Sequence, residues 1–298
     1  MRTLVTGAGG FIGRVVLSRL RRGGMDTLAL LGPEDGPAER NQASMRGDVR
    51  DRGFVEECFD GIDAVVHLAG PSSVAASFTE PDLYASVHAA GTAVVCEAAR
   101  RSGVSRTVLV SSAEIYGSQA LQPVDESALP SPVSPYGAAK LSAELMARTI
   151  LPAGHRTAVR PFSVYGPGMR LNSVIGRIGE QVRAGRPVSL QTLAPVRDYV
   201  HVEDLAELVF LCLASSQPLP EAMNACSGHG VSVGDLAAMM IGMAGRGGPV
   251  EQSTGTRRPA DIPILIGDHR ASLDFGWRGP RPLATGLADL LQRWAPDR

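Results

Sequence analysis

Tyr136 and Lys140 stand four residues apart in Tyr136-Gly137-Ala138-Ala139-Lys140, near the start of a long helical pattern. That spacing puts both side chains on one helix face, so a phenol and an ammonium project into the same space. A free phenol titrates near 10 and is a poor acid–base catalyst at neutral pH. A neighbouring ammonium and a nicotinamide cation both favour phenolate, and lowering the pKa by about two units takes roughly 2.7 kcal/mol. Ser111 and Ser112 close a strand pattern, and a hydroxyl there can share a substrate oxygen with the phenol. Serine, tyrosine and lysine together can pass a proton to or from an alcohol while hydride moves to or from a nicotinamide ring. Lys140 is also the only lysine among 29 basic residues. Lysine differs from arginine in being a compact, titratable ammonium, so its survival in an arginine-biased chain marks the position.

A second constellation opens the chain. Gly7, Gly10 and Gly13 follow an apolar strand pattern and begin an amphipathic helix, in the spacing GxxGxxG. A tight turn, close backbone approach to a pyrophosphate and tight helix–strand packing each need a residue without Cβ. The helix N-terminus then offers unpaired N–H groups to phosphates. Gly47-Asp48-Val49 follows a short strand, where Asp48 either reaches an adenine or caps a helix. NAD sites of this kind place a carboxylate about 20 residues beyond the glycine motif. The second strand pattern instead ends Leu30-Leu31-Gly32. Without a carboxylate a 2′-phosphate meets no repulsion, and Arg14 or Arg40 can face it. The cofactor is therefore read as NAD or NADP(H), leaning to NADP(H).

The elements that must hold these groups alternate along the chain. Strand patterns at 3–6, 27–31, 64–67, 107–111 and 158–160 alternate with helical patterns at 12–22, 54–59, 81–101 and 135–150. Such alternation implies βαβ units and a parallel sheet covered on both faces. Right-handed crossovers make it doubly wound, with the ligand crevice beyond the carboxyl ends of the strands. After Gly166 glycine and proline become frequent and segments shorten (172–184, 232–244, 282–294), while 197–214 reads as a strand followed by a helix. The expected architecture is an α/β Rossmann fold: a doubly wound parallel sheet from 1–165 plus about 197–215. A smaller C-terminal substrate-binding lobe comes from 166–196 and 216–298.

With 298 residues, 44% hydrophobic, and a net charge of −1, the chain gives no electrostatic reason to expect nucleic acid or an anionic membrane surface as partner. Its longest apolar run, 208–214, is far short of the roughly 20 residues of a membrane span. The N-terminal residues run directly into a strand with no signal-peptide pattern. Cys58, Cys96, Cys212 and Cys226 are scattered and read as buried thiols in a reducing compartment, with no metal site. A cytoplasmic protein is expected.

The chain resembles the extended short-chain dehydrogenase/reductases of the nucleotide-sugar epimerase/dehydratase family. The resemblance runs nearly end to end, through TGAGGFIG (6–13), GDV (47–49), VVHLAG (65–70), SSAEIYG (111–117), SPYGAAK (134–140), RPFSVYGPG (160–168), RDYVHVEDLA (197–206) and RRPAD (257–261). It implies that Ser112 matches the catalytic Ser/Thr, Tyr136 the acid/base and Lys140 the ligand of the nicotinamide ribose. Glu114 is a further catalytic candidate. The cofactor set comprises Gly7, Gly10, Phe11, Ile12, Gly13, Arg14, Asp48, Val49, Leu68, Ala69, Gly70, Ser111, Tyr136, Lys140 and Pro161. The substrate set comprises Ser72, Ser112, Ser163, Arg197 and Arg258, the two arginines suiting a sugar-linked diphosphate. His67 and His201 are read as structural.

Three positions depart from the family pattern. Family 4,6-dehydratases follow the Ser/Thr with Asp-Glu, whereas Ser112 is followed by Ala113-Glu114. Alanine cannot protonate a leaving hydroxyl, so simple dehydration is disfavoured. His88 and Ser163 each stand where the family usually has asparagine. The main expectation is a 4-ketoreductase acting on a nucleotide-diphospho-4-keto-6-deoxyhexose. The alternative is a nucleotide-sugar 4-epimerase with bound NAD, and the minor alternative an inactive cofactor-binding sensor. A homodimer through the helices at 81–101 and 135–150 is expected.

Overall fold

The alternation of strand and helix builds one seven-stranded sheet. The computed structural model describes residues 1–38, 42–253 and 261–294; Arg40 and Arg258 lie outside them. The strands lie in the order Ala222–Ala225, Arg156–Pro161, Arg106–Val110, Ala64–His67, Arg2–Thr6, Asp26–Leu31 and Ser44–Arg46. Every neighbouring pair is parallel.

Successive strand residues point to opposite faces. Leu4, Leu28, Leu30 and Val65 pack on one face with Val95, Cys96, Ala143 and Ala147, from helices Thr92–Arg101 and Pro135–Ile150. Val5, Ala29, Leu31 and Val66 pack on the other with Val16, Leu20, Leu205 and Val209, from helices Phe11–Arg22 and Val202–Ala214. Burial on both faces is why the strands read as unbroken apolar runs. From Arg2–Thr6 the chain moves outward to Asp26–Leu31 and Ser44–Arg46, then returns to Ala64–His67 on the other side. This reversal opens a crevice beyond Thr6 and His67.

Two elements differ from expectation. Ala222–Ala225 falls in the stretch assigned to the lobe, yet pairs with Arg156–Pro161 at the sheet edge. Ala-Met-Asn-Ala has little intrinsic strand preference, and the edge that recruits it exists only after the sheet assembles. The expected helix 81–101 is divided into Pro81–Ala85, a π turn at Ser86–Gly91, and Thr92–Arg101.

Residues after Gly166 gather a separate apolar cluster. Helices Val174–Arg183, Val233–Ala244 and Leu283–Arg293 bury Ile178, Leu236, Met240 and Leu287 together. Strand Val196–His201 pairs with Ser163–Tyr165, Gly230–Ser232 and Ile264–Leu265 in a smaller sheet. Among the described residues no helix is long and apolar enough to cross a membrane.

Candidate active site

The glycine motif folds into a cradle. Gly7 has φ +66°, and a Cβ there would lie 2.8 Å from Ala69 N. A Cβ on Gly13 would lie 2.2 Å from the Gly7 carbonyl oxygen. Helix Phe11–Arg22 starts at Gly10 with no side-chain cap and no acidic residue in its first turn. Its first N–H groups are therefore left for an anion. Thr6 Oγ1 accepts from the N–H groups of Leu68 and Ala69, both at 3.2 Å, and pairs with His67 Nδ1 at 2.7 Å. The two strand ends that flank the crevice are thus tied together by a threonine that sequence reasoning passed over. His67 also meets Thr92 Oγ1 at 3.0 Å. Burial pushes its pKa down to about 3, so it stays a neutral core histidine.

Gly7, Gly10, Phe11, Ile12 and Gly13 line one lip of the crevice, and Leu68, Ala69 and Gly70 the other. Ser111 and Pro161 lie at the ends of the next two strands. The Ser111 hydroxyl is buried without a partner. A cradle that side chains would fill, beside an unsatisfied hydroxyl, fits a dinucleotide. Arg14 is exposed at the helix start.

A carboxylate does approach the glycine motif. Asp35, four residues past the strand end, lies over the glycine motif: a Cβ on Gly9 would be 2.5 Å from Asp35 Cγ. Its Oδ2 accepts from Gly32 N at 2.8 Å. Arg46 pins the loop, donating to the carbonyls of Gly32 (2.9 Å), Asp35 (2.6 Å) and Gly36 (2.8 Å). This corrects the lean to NADP(H): a carboxylate in that position repels a 2′-phosphate. The signal was an acid shortly after the strand, displaced by a turn whose length the strand pattern did not disclose. Asp48 does not cap the next helix, since Asp51 does, accepting from Phe54 N at 3.2 Å. Asp48 is instead held by the Arg50 guanidinium at 2.9 Å, which lowers its pKa. Val49 beside it is buried under Gly91.

Tyr136 and Lys140 lie buried one helical turn apart at the floor of the crevice. Ser134 caps helix Pro135–Ile150, accepting from Gly137 N at 3.1 Å, with Pro135 pre-set for the first turn. A Cβ on Gly137 would lie 2.7 Å from the Glu114 carbonyl, so only glycine lets the helix start press against the Ala113–Ile115 turn. That turn follows Ser112, whose hydroxyl accepts from Glu114 N at 3.2 Å and faces the Tyr136 phenol closely enough to oppose the rise in its pKa. Lys140 Nζ donates to the Val110 carbonyl at 2.9 Å.

The electrostatics correct one expectation. Burial pushes the Tyr136 phenol up to about 12; Ser112 opposes the rise, and the Glu114 charge adds to it. Burial also pushes Lys140 down to about 8, opposed by Glu144. The ammonium is directed at the Val110 carbonyl. Desolvation dominates both groups, so the protein alone holds a protonated phenol beside an easily neutralised amine.

On the lobe side, Ser163 begins the strand that pairs with Tyr199–His201. Arg197 Nη2 is engaged by Asp261 Oδ1 at 2.8 Å, and its Nη1 donates to the Val196 carbonyl at 3.0 Å. Ser72 is exposed beyond Gly70. His201 caps helix Val202–Ala214, its Nδ1 accepting from Glu203 N at 3.3 Å. Among the described residues no cluster of three or more His, Cys, Asp or Glu could hold a metal ion.

Comparison with known proteins agrees with this geometry. Residues 3–226 match the NAD dependent epimerase/dehydratase family. A UDP-glucose 4-epimerase of Streptomyces lividans is 32% identical, over 98% of this chain and 94% of its own. The solved UDP-glucose 4-epimerase of Thermus thermophilus, in complex with NAD, superposes with a TM-score of 0.89 at 28% identity, covering 99% of each chain. The structure of MoeE5 with UDP-glucuronic acid and NAD superposes with a TM-score of 0.90 at 30% identity, covering 98% of each chain. With the dinucleotide cradle, the Ser112–Tyr136–Lys140 floor and this match over most of its length, the chain belongs to the NAD-dependent epimerase/dehydratase family.

Proposed function

We propose that the protein is an NAD-dependent 4-epimerase of a nucleotide-linked hexose, with a UDP-hexose as substrate. The observation that carries this reading is the lone hydroxyl couple at the crevice floor: Ser112 facing Tyr136, with buried Ala113 beside them in place of an acid. One phenol, ionised when the positive nicotinamide lies beside it, suits a reaction that takes a proton from the sugar's 4-hydroxyl and later returns it. Bound NAD supplies the acceptor and donor of hydride. Ser112 holds the reacting oxygen, Tyr136 moves its proton, and Lys140 offers its remaining N–H groups to ribose hydroxyls. Glu114's charge favours the protonated phenol, the state that returns the proton. Arg197, on exchanging Asp261 for substrate, grips the diphosphate.

The 4-ketoreductase expectation uses the same three side chains but needs fresh reduced cofactor in every turnover. Asp35 and the epimerase relatives favour the alternative, in which one NAD is reused. Loss of the tyrosine or the lysine would favour a sensor; both are in place. The expected homodimer rests on the helices that flank the crevice, where Leu145 and Met146 leave an apolar surface exposed.

The decisive experiment is to purify the protein, release and identify its nucleotide, and incubate it with UDP-glucose without added cofactor. Retained NAD and formation of the 4-epimer are expected. An empty site that consumes NADPH with a nucleotide-linked 4-keto-6-deoxyhexose would overturn the reading. Asp35→Ala is expected to weaken NAD binding by about 10–100-fold, the size of a lost charged hydrogen bond, while NADP+ binding holds or improves. Equal losses for both cofactors in a binding titration would remove Asp35 from the ribose site.

A further inference from the structure

The π turn at Ser86–Gly91 places one more residue in the helix than an α-helical path would, and such turns recur at functional sites. Here it turns His88 inward, leaving it only 2% exposed. The imidazole sits between two tyrosines. Its ring centroid is 5.9 Å from Tyr84 and 5.8 Å from Tyr136, and the Tyr84 and Tyr136 rings meet edge-on at 6.1 Å. Two of these side chains reach one segment of backbone beyond strand Ala64–His67. Tyr84 Oη donates to the Ser73 carbonyl at 2.7 Å, and His88 Nε2 lies 2.9 Å from the Pro71 carbonyl. A carbonyl only accepts, so Nε2 carries the proton and Nδ1 is the bare nitrogen. The ring also rests on Gly70, where a Cβ would lie 2.3 Å from His88 Cε1.

We propose that His88 and Tyr84 form a clamp that ties the Gly70–Ser73 backbone to the edge of the Tyr136 ring, making His88 a positioning residue for the acid–base phenol. The assignment rests on the reading of Tyr136 given above. The clamp joins the lip of the crevice to its floor, so the segment beside the cofactor and the phenol move as one unit. The groups around His88 suit a neutral ring. Lys140 supplies a nearby positive charge, His67 is itself neutral, and the flanking tyrosines are uncharged. Burial and Lys140 together push His88 down to about 3, so the clamp holds across the working pH range.

The test pairs kinetics with backbone amide exchange. His88→Phe keeps a ring and removes the donor, and Tyr84→Phe removes one hydroxyl with little risk to folding. Each is expected to lower kcat by about tenfold, the scale of one positioned hydrogen bond, with a smaller change in KM and with NAD retained. Amide exchange across residues 70–77 should accelerate in both. His88→Gln, whose amide can still reach Pro71, should recover exchange protection and most of kcat. Wild-type exchange at 70–77 in both phenylalanine variants would overturn the clamp, and so would wild-type kcat in both. The exchange measurement needs no substrate. It therefore judges the clamp even if the wild-type protein turns over no UDP-hexose, an outcome that counts against the proposed activity alone.

Discussion

Tyr136→Phe is expected to lower kcat by about 10²–10⁴-fold, the range that a positioned general acid–base group contributes, while NAD stays bound. The substitution removes one oxygen and keeps the ring that packs edge-on against Tyr84 and His88. The cradle at Gly7–Gly13 lies on other elements and is untouched, so cofactor binding and stability separate cleanly from turnover. The residual rate should also lose the pH dependence that the phenol imposes. Cofactor content by absorbance, with kcat measured across pH, decides the matter. Turnover within a few-fold of wild type would show that another group moves the proton.

Lys140 has two opposed consequences. It is 6% exposed, its ammonium donates to the Val110 carbonyl, and its pKa falls from 10.5 to about 8. A base depressed on folding binds fewer protons in the folded state between these values. Stability therefore rises with pH through that window, and the cost is felt in full below pH 8. At 1.36 kcal/mol per unit the buried ammonium costs about 3 kcal/mol at neutral pH. Lys140→Met should accordingly raise the Tm of cofactor-free protein at pH 7, by an amount that shrinks at pH 9.5, while turnover collapses. Lys140→Arg should lose about 10²-fold in kcat, because a guanidinium is larger, planar and cannot shed its proton. A destabilised methionine variant would show that the ammonium has partners that offset its burial. An active arginine variant would show that charge alone suffices.

The legible features were those carried by local pattern. Gly7, Gly10 and Gly13 announce a cradle because each needs the absence of a side chain, a property read from residue type. Tyr136 and Lys140 announce a shared face because helical spacing is fixed. Asp35 was not legible: its carboxylate reaches Gly9 through a turn whose path is set by Arg46, a residue eleven positions on. His88 was visible as a departure from the family, but not as a clamp, because nothing in residues 81–101 marks where a helix takes up an extra residue. Ala222–Ala225 was hidden for a similar reason, since its partner is a sheet edge built from sequence more than 60 residues earlier.

By itself the sequence determined the alternating order of strands and helices, the dinucleotide cradle and the identity of the three groups at the crevice floor. These follow from periodicity, backbone freedom and side-chain chemistry, which act over a few residues. Only the tertiary structure decided that the phenol is held up and the ammonium down, that a carboxylate lies over the glycine motif, and that the helix bearing His88 grips the crevice lip. Each of these depends on burial or on contacts between distant segments, and desolvation has no value until the chain is folded.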